Sequence, residues 1–169
     1  EVGNAMADTI TAQLLFLESE DPTADIYMYI DSPGGCVHSG LAIADVMEFI
    51  SCDVVTISMG LSASMGAFLT SQGTPGKRKA LRRSSIMLHE VSAGNQGKNH
   101  DMKASMKHTD ALNDLLLEDI YDTLKESYRE EISLEEFKRI CKEDTWLTAK
   151  EALEMGVIDE IVGKRQKIQ

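Results

Sequence analysis

The residues Val54-Val55-Thr56-Ile57-Ser58-Met59-Gly60-Leu61-Ser62-Ala63-Ser64-Met65-Gly66-Ala67-Phe68 contain the strongest structural signal of the chain. The first six are β-branched or otherwise suited to a strand. Small residues follow, and the apolar residues after them predict a helix. A hydroxyl at this junction would lie at a helix N-terminus, where free backbone N–H groups favour developing negative charge. Ser64 is therefore either a helix cap, as serine often is, or an acyl-transfer nucleophile.

Helical and extended segments alternate on both sides of this stretch. Periodicity and composition predict helices at 4–19, 37–50 and 64–72, and short strands at 26–30, 54–59, 77–81 and 85–89. The order α-β-α-β-α-β-β predicts an α/β fold with a largely parallel sheet.

The longest periodic segment runs from 101 to 128 and exceeds the usual length of a globular helix. We expect it to project from the core or to pack against another subunit. Capping-box patterns at Ser133–Glu136 and Thr148–Glu151 predict two shorter helices, and a terminal strand is predicted at 157–162. The chain shows no linker or internal repeat, which favours a single domain.

Composition and charge narrow the function. The 169 residues include 17 basic and 28 acidic side chains, for a net charge of −11, which argues against a nucleic-acid or anionic-lipid partner. No apolar run is long enough to cross a bilayer, and no signal peptide opens the chain. We therefore expect a cytoplasmic protein that binds neither nucleic acid nor membrane.

The three cysteines, Cys36, Cys52 and Cys141, lack the C-x-x-C spacing of a metal or redox site. They fit a reducing compartment, and no metal is expected. Cys36 follows a Gly-Gly turn, but we expect it to be a small buried hydrophobic residue rather than a nucleophile.

Four histidines limit the choice of a general base for Ser64. His100 and His108 lie among charged residues of the long helix, so surface positions are expected for both. The position of His38 is ambiguous. His89 ends a short apolar strand, and ligand sites of α/β sheets gather beyond strand ends. His89 is therefore the best candidate.

A serine–histidine pair works best when a carboxylate fixes the histidine tautomer. Asp144 is a plausible third member because it lies in an expected loop between two capped helices. On the residues alone, Asp159 and Glu90 compete with it. The hydrolase elbow G-x-S-x-G is not matched, since Ser62 stands where its first glycine would be.

Several separate segments carry motifs of one known family. They are Asp25–Gly35, Ser62–Phe68, Met87–His89, Asp144–Ala149 and Glu151–Asp159. They occur in the family's order and closely resemble the proteolytic subunits of caseinolytic (Clp) proteases, the ClpP family, and this resemblance extends over nearly the whole chain. The spacing of 25 from Ser64 to His89 also matches that family.

The resemblance implies roles for individual residues. Ser64 falls on the family's nucleophile, His89 on its base and Asp144 on the third triad member. The two backbone N–H groups that stabilise the oxyanion fall on Gly35 and Met65. Since glycine has no side chain, the Pro-Gly-Gly turn would bring backbone close to the substrate.

The resemblance also implies an architecture. It is α/β, a crotonase-like (ClpP) fold in which residues 1–90 and 133–169 form a head domain with a parallel sheet. Residues 91–132 would form a projecting handle with the long helix. The whole chain, 1–169, is then a single ClpP-like domain, and the family's N-terminal axial segment is absent from this sequence.

Partners follow from the same resemblance. Two stacked heptameric rings, a tetradecamer, would enclose the serine active sites and degrade unfolded polypeptides to short peptides. An AAA+ unfoldase would consume ATP, and this chain would need no cofactor. The family's docking cleft for that ATPase is apolar and aromatic; Leu15, Tyr27, Tyr29 and Phe49 fall on such positions, with ordinary core positions as the alternative.

The sequence departs from the family at three places. Glu90-Val91 stands where Gln-Pro is common, and Asp144 lies 55 residues beyond His89, somewhat farther than usual. Lys142-Glu143 reverses an acidic–basic pair that links ring contacts to activity. Two other functions remain as alternatives: an inactive ring subunit, and a crotonase-type acyl-CoA hydratase or isomerase.

Overall fold

Seven helices and six strands are found in residues 1–163, the part of the chain that the computed structural model describes. The helices are α1 (Asn4–Glu20), α2 (Val37–Phe49), α3 (Met65–Ser71), α4 (Asn99–Thr123), α5 (Glu126–Glu131), α6 (Leu134–Ile140) and α7 (Ala149–Met155). The strands are β1 (Ile26–Ser32), β2 (Val54–Ala63), β3 (Lys79–Leu81), β4 (Ser85–Leu88), β5 (Thr145–Thr148) and β6 (Glu160–Val162). Residues 164–169, which we assigned to the head domain, lie outside the described part.

The six strands form one sheet organised around β2, which pairs in parallel with β1, β3 and β4. Strand β6 extends the sheet in parallel from β3, and β5 pairs with β4 in the antiparallel direction. The expected α/β fold with a largely parallel sheet is confirmed. Parallel neighbours end at the same edge of a sheet, so the loops after β2 and β4 meet there.

Strand β2 is longer than predicted. It continues through the small residues of the expected turn and ends only at Ala63. Val54 to Ser58 are all buried, and the later residues Leu61 to Ala63 pair with β4. Backbone hydrogen bonds to a neighbouring strand outweigh the weak strand propensity of glycine and alanine.

The helix predicted at 101–128 is interrupted. Helix α4 ends at Thr123, and Leu124 takes an extended conformation with φ −68° and ψ 158°. The side chain of Leu124 is buried, and the N–H of Lys125 donates to the carbonyl oxygen of Met155 at 3.2 Å. The burial of Leu124 and this hydrogen bond compensate for the helical hydrogen bonds that are lost at the break. The chain becomes helical again in α5.

The two halves of α4 differ in packing. Leu116, Leu117 and Ile120 are buried in the core, whereas Met106 and most residues before 112 are exposed. Within residues 1–163, no helix combines the length and the hydropathy that crossing a membrane requires.

Candidate active site

Ser64 occupies the junction between β2 and α3 in a strained conformation. Its φ of 54° and ψ of −123° make it the one non-glycine residue with positive φ among residues 1–163. Such strain costs on the order of 1–3 kcal/mol and is found most often at functional sites. The Ser64 side chain makes no capping hydrogen bond to α3. The helix-cap explanation of this serine is therefore not supported.

The Pro-Gly-Gly turn lies against Ser64 from the side of β1. Gly34 has φ +95°, and a Cβ there would stand 2.6 Å from the Ser64 Cβ and 3.0 Å from the Met65 nitrogen. Only glycine combines this backbone conformation with so close an approach. The glycine therefore sets how near the turn comes to the serine.

The turn is held in place by the first residues of the chain. The N–H of Val2 donates to the Gly34 carbonyl at 2.8 Å, and the Val2 carbonyl accepts from the N–H of Cys36 at 2.8 Å. A Cβ on Gly35 would lie 2.1 Å from the Val2 oxygen. Gly35 lies in the chain between the two residues that form these bonds, and its own N–H points away from Val2.

The backbone N–H groups of Gly35 and of Met65, the first residue of α3, have no protein acceptor within the described residues. Gly35 and Met65 line one small cavity together with Ser64. N–H groups with this placement can stabilise an oxyanion that forms next to the serine.

His89 lies immediately after β4, as Ser64 lies immediately after β2. The parallel register pairs Ala63 with Met87, and the N–H of Ser64 donates to the Met87 carbonyl at 2.9 Å. Both side chains therefore leave the same edge of the sheet. Ser64 and His89 line the same cavity, whose volume is about 50 Å³.

Asp144 faces His89 across the antiparallel pair formed by β4 and β5. Leu88 pairs with Thr145, so the next residue outward on each strand is His89 on one and Asp144 on the other. The His89 Nδ1 and the Asp144 Oδ1 are 3.5 Å apart, a little longer than an ordinary hydrogen bond. A carboxylate at Nδ1 leaves Nε2 available as the basic nitrogen.

Asp159, a competing candidate, has a structural role. Its carboxylate accepts from the Arg78 guanidinium at 2.5 and 2.9 Å and from the Arg78 backbone N–H at 2.9 Å. Burial acts in the opposite direction, but these hydrogen bonds hold the pKa of Asp159 below its usual value. The other competitor, Glu90, is exposed, and its carboxylate makes no hydrogen bond or ion pair within residues 1–163. Asp144 is thus the carboxylate that the structure brings to His89.

A comparison with protein families agrees with this geometry. The family model described as Clp protease matches residues 1–165. The chain belongs to the Clp protease family. It is a peptidase of the ClpP type, and the expected crotonase-like (ClpP) fold is confirmed by the family together with the mixed α/β architecture. Clp proteases are ring-forming peptidases that work with ATPases.

The four residues expected in the Clp docking cleft are all on the surface. Leu15, Tyr27, Tyr29 and Phe49 are between 43% and 79% exposed, with Phe49 the highest. The alternative that they are ordinary core residues is wrong for this chain. Tyr27 and Tyr29 line a groove of about 170 Å³ between α1 and β1, whereas Leu15 and Phe49 lie outside it.

His38, His100, His108 and Cys36 do not line the cavity shared by Ser64 and His89. His38 and His108 are exposed and stack on each other, with ring centroids 5.6 Å apart, and exposed His100 pairs with Asp101. Cys36 is exposed, so the expectation that it is buried was wrong; its place on the turn beside Val2 keeps it at the surface. Among residues 1–163, no group of three or more His, Cys, Asp or Glu side chains is arranged to hold a metal ion.

Sequence reasoning missed one residue of the cavity. Asn113 on α4 lines the same cavity as Ser64 and His89, and its Oδ1 accepts from the N–H of Val91 at 2.8 Å. One signal could have found it: a polar side chain at position 113 shares a helix face with the apolar Leu116, Leu117 and Ile120.

Proposed function

We propose that this Clp-family chain is a serine endopeptidase that degrades unfolded polypeptides to short peptides. The observation that supports this most is the meeting of three side chains at one edge of the sheet. Ser64 and His89 share a cavity, and Asp144 lies 3.5 Å from the His89 Nδ1. Nucleophile, base and orienting carboxylate are the three parts that acyl transfer by serine requires.

In this mechanism, the Ser64 Oγ attacks the peptide carbonyl carbon while the His89 Nε2 accepts the hydroxyl proton. The carbonyl oxygen becomes an oxyanion that the N–H groups of Gly35 and Met65 stabilise. His89 then gives the proton to the leaving amine, and the C–N bond breaks. Water, activated by the same histidine, hydrolyses the acyl-enzyme and releases Ser64.

Asp144 would orient the imidazole and stabilise its protonated form during both steps. The described residues show no hydrogen bond between Ser64 and His89. Catalytic hydrogen bonds are often long before substrate binds and tighten in the complex. We therefore expect the serine and the histidine to come together when a peptide fills the cleft.

The proposed assembly is two stacked heptameric rings that enclose the active sites. Exposed apolar residues on α4 and β5 support it, because they give the chain surfaces that a second copy can cover. Met106 and Leu115 on α4 are 56% and 43% exposed, and Trp146 on β5 is 57% exposed. Helix α4 would then act as the handle through which the rings meet.

An AAA+ unfoldase is the proposed partner that delivers unfolded chains. The exposure of Leu15, Tyr27, Tyr29 and Phe49 supports a docking surface for it, since aromatic residues on a surface are common in protein interfaces. ATP would be consumed by this partner, and the peptidase itself would use no cofactor.

The experiment is labelling with a fluorophosphonate, a reagent that phosphonylates activated serines with loss of fluoride, followed by mass spectrometry of the adduct. We expect one adduct, on Ser64, and loss of peptide hydrolysis in Ser64→Ala. Ser62→Ala, which removes a buried serine of β2 two residues before Ser64, is the matched control for labelling. An adduct on another residue contradicts the mechanism. If the protein neither reacts with the reagent nor hydrolyses peptide, an inactive ring subunit is favoured instead. If it turns over acyl-CoA thioesters, a crotonase-type enzyme is favoured.

A further inference from the structure

The segment that carries the base is held by two backbone hydrogen bonds just after His89. We call residues 89–91 the base segment. The N–H of Glu90 donates to the carbonyl oxygen of Cys141 at 2.7 Å, and the N–H of Val91 donates to the Oδ1 of Asn113 at 2.8 Å. Because these are consecutive N–H groups, the two bonds together fix the path of the main chain as it leaves His89.

The two acceptors belong to different parts of the fold. Cys141 follows α6 and offers a main-chain oxygen, which any residue at that position would supply. Asn113 lies on α4 and offers a side-chain oxygen. Position 113 is therefore the place where the identity of one side chain decides whether the base segment is bound to α4.

Asn113 is itself held firmly. It shares a helix face with Leu116, Leu117 and Ile120, at spacings of three, four and seven, and all three are buried. The Asn113 side chain is partly buried at the end of this apolar face. A polar group in such a position requires a hydrogen-bond partner, and the Val91 N–H is the partner that the structure shows.

We propose that Asn113 is a positioning residue for His89. Its Oδ1 holds the base segment so that the imidazole faces both Ser64 and Asp144, and it connects the position of α4 to the geometry of the base. This inference rests on the proposed serine mechanism, since it assigns Asn113 a task in that reaction. Asn113 acts through Val91 and does not touch the reacting atoms.

The test compares Asn113→Leu, Asn113→Asp and Asp114→Asn. Leucine keeps the branching of asparagine at Cγ, although it is larger, and it cannot accept the Val91 N–H. Aspartate keeps the accepting oxygen. Asp114→Asn is the matched control, because Asp114 is the next residue on α4 and binds Lys138 at 2.8 Å instead of the base segment.

We expect Asn113→Leu to lower kcat for a short fluorogenic peptide by about 10- to 100-fold, the cost of a misplaced catalytic group, with KM changed by less than about threefold. The main-chain hydrogen–deuterium exchange of the peptide containing Val91 should become about tenfold faster, as expected for one lost hydrogen bond. Asn113→Asp should restore both values towards those of the parent protein, and Asp114→Asn should change neither.

The readouts separate the possible failures. If the parent protein neither labels at Ser64 nor cleaves peptide, the proposed function is wrong, and the role of Asn113 in catalysis falls with it. If the parent is active but Asn113→Leu keeps its kcat, the positioning role alone is overturned. It is equally overturned if Asn113→Asp loses as much kcat as Asn113→Leu, or if kcat falls only with loss of helical circular dichroism.

Discussion

Gly34 and Ser64 approach each other so closely that the space between them holds no further carbon atom. A Cβ on Gly34 would lie 2.6 Å from the Ser64 Cβ, and Ser64 itself has positive φ. The strained serine and the glycine turn therefore form one unit. Neither can change its backbone without displacing the other.

Gly34→Ala tests this unit. We expect peptide hydrolysis to fall by about 100-fold or more, because the methyl group must push Ser64 or the turn from the catalytic position by about 1 Å. Gly76→Ala is the matched control: Gly76 has φ +84°, close to the +95° of Gly34, but no atom within 4 Å of the added Cβ. Comparison of the steady-state kinetics of the two variants separates the effect of the close approach to Ser64 from the effect of backbone strain at the substituted glycine. Equal activity losses would contradict the explanation.

Asp144→Asn should lower kcat by about 100-fold or more, since loss of the orienting carboxylate removes up to about 10⁴-fold in a serine triad. We expect the lower part of that range because Asp144 is 61% exposed and 3.5 Å from the His89 Nδ1. As the control, Glu130→Gln removes the charge of an exposed carboxylate on α5 and should leave kcat within about twofold. Similar losses of kcat in both variants would show that the loss of a negative charge, and not the loss of histidine orientation, lowers the activity.

The ion pair of Arg78 and Asp159 should make stability depend on pH. The pKa of Asp159 is lowered in the folded state, so its stabilising effect is present above its unfolded value of about 4 and is lost as pH falls below that value. At pH 7 we expect Asp159→Asn to reduce the free energy of unfolding by about 3 kcal/mol, as for a broken buried pair. Urea unfolding of both proteins at pH 7 and near pH 3 measures this; a difference that does not shrink in acid would refute it.

The three thiols should differ in reactivity towards iodoacetamide. Cys36 is exposed, and hydrogen bonds from Ser39 lower the pKa of its thiol. Burial raises the pKa of the Cys141 thiol to about 12, and burial also raises the pKa of Cys52. Because the thiolate is the reactive form, modification at pH 7 should occur first at Cys36. Mass spectrometry of digested protein measures the order, and early labelling of Cys141 would disagree with the packing around α6.

Phe49→Ala should separate peptide cleavage from delivery of unfolded chains. The side chain is 79% exposed, so we expect the free energy of unfolding to change by less than about 0.5 kcal/mol and short-peptide hydrolysis to stay the same. Degradation of a folded substrate with an AAA+ unfoldase and ATP should fall, since a docking contact is lost. Unchanged degradation would remove Phe49 from the proposed docking surface.

The sequence was sufficient to predict the sheet and the position of Ser64 between a strand and a helix. The strand before Ser64, the helix after it and the alternation of elements depend on local composition, and these predictions are confirmed apart from their bounds. His89 could be placed because it ends an apolar strand. Predictions of this kind depend only on residues that lie within a few positions of the predicted element.

Contacts between distant segments could not be predicted in the same way. Strand β5 has no alternating pattern of its own and forms through pairing with β4, so Asp144, Asp159 and Glu90 stayed equivalent on the residues alone. The break of the long helix at Leu124 depends on burial and on a bond to Met155. The role of Val2 beside Gly35 likewise exists only in three dimensions.

The antiparallel pairing of Leu88 with Thr145 makes the proposed triad less sensitive to the length of chain that separates His89 from Asp144. Helices α4, α5 and α6 all lie between His89 and Asp144, yet the strand register brings these two positions opposite each other. An insertion or deletion within those helices leaves the carboxylate opposite the imidazole as long as β4 and β5 stay paired and Asn113 and Cys141 keep their bonds to the base segment. The helical insert can therefore vary in length, and with it the surface offered to another subunit, while the chemistry stays the same.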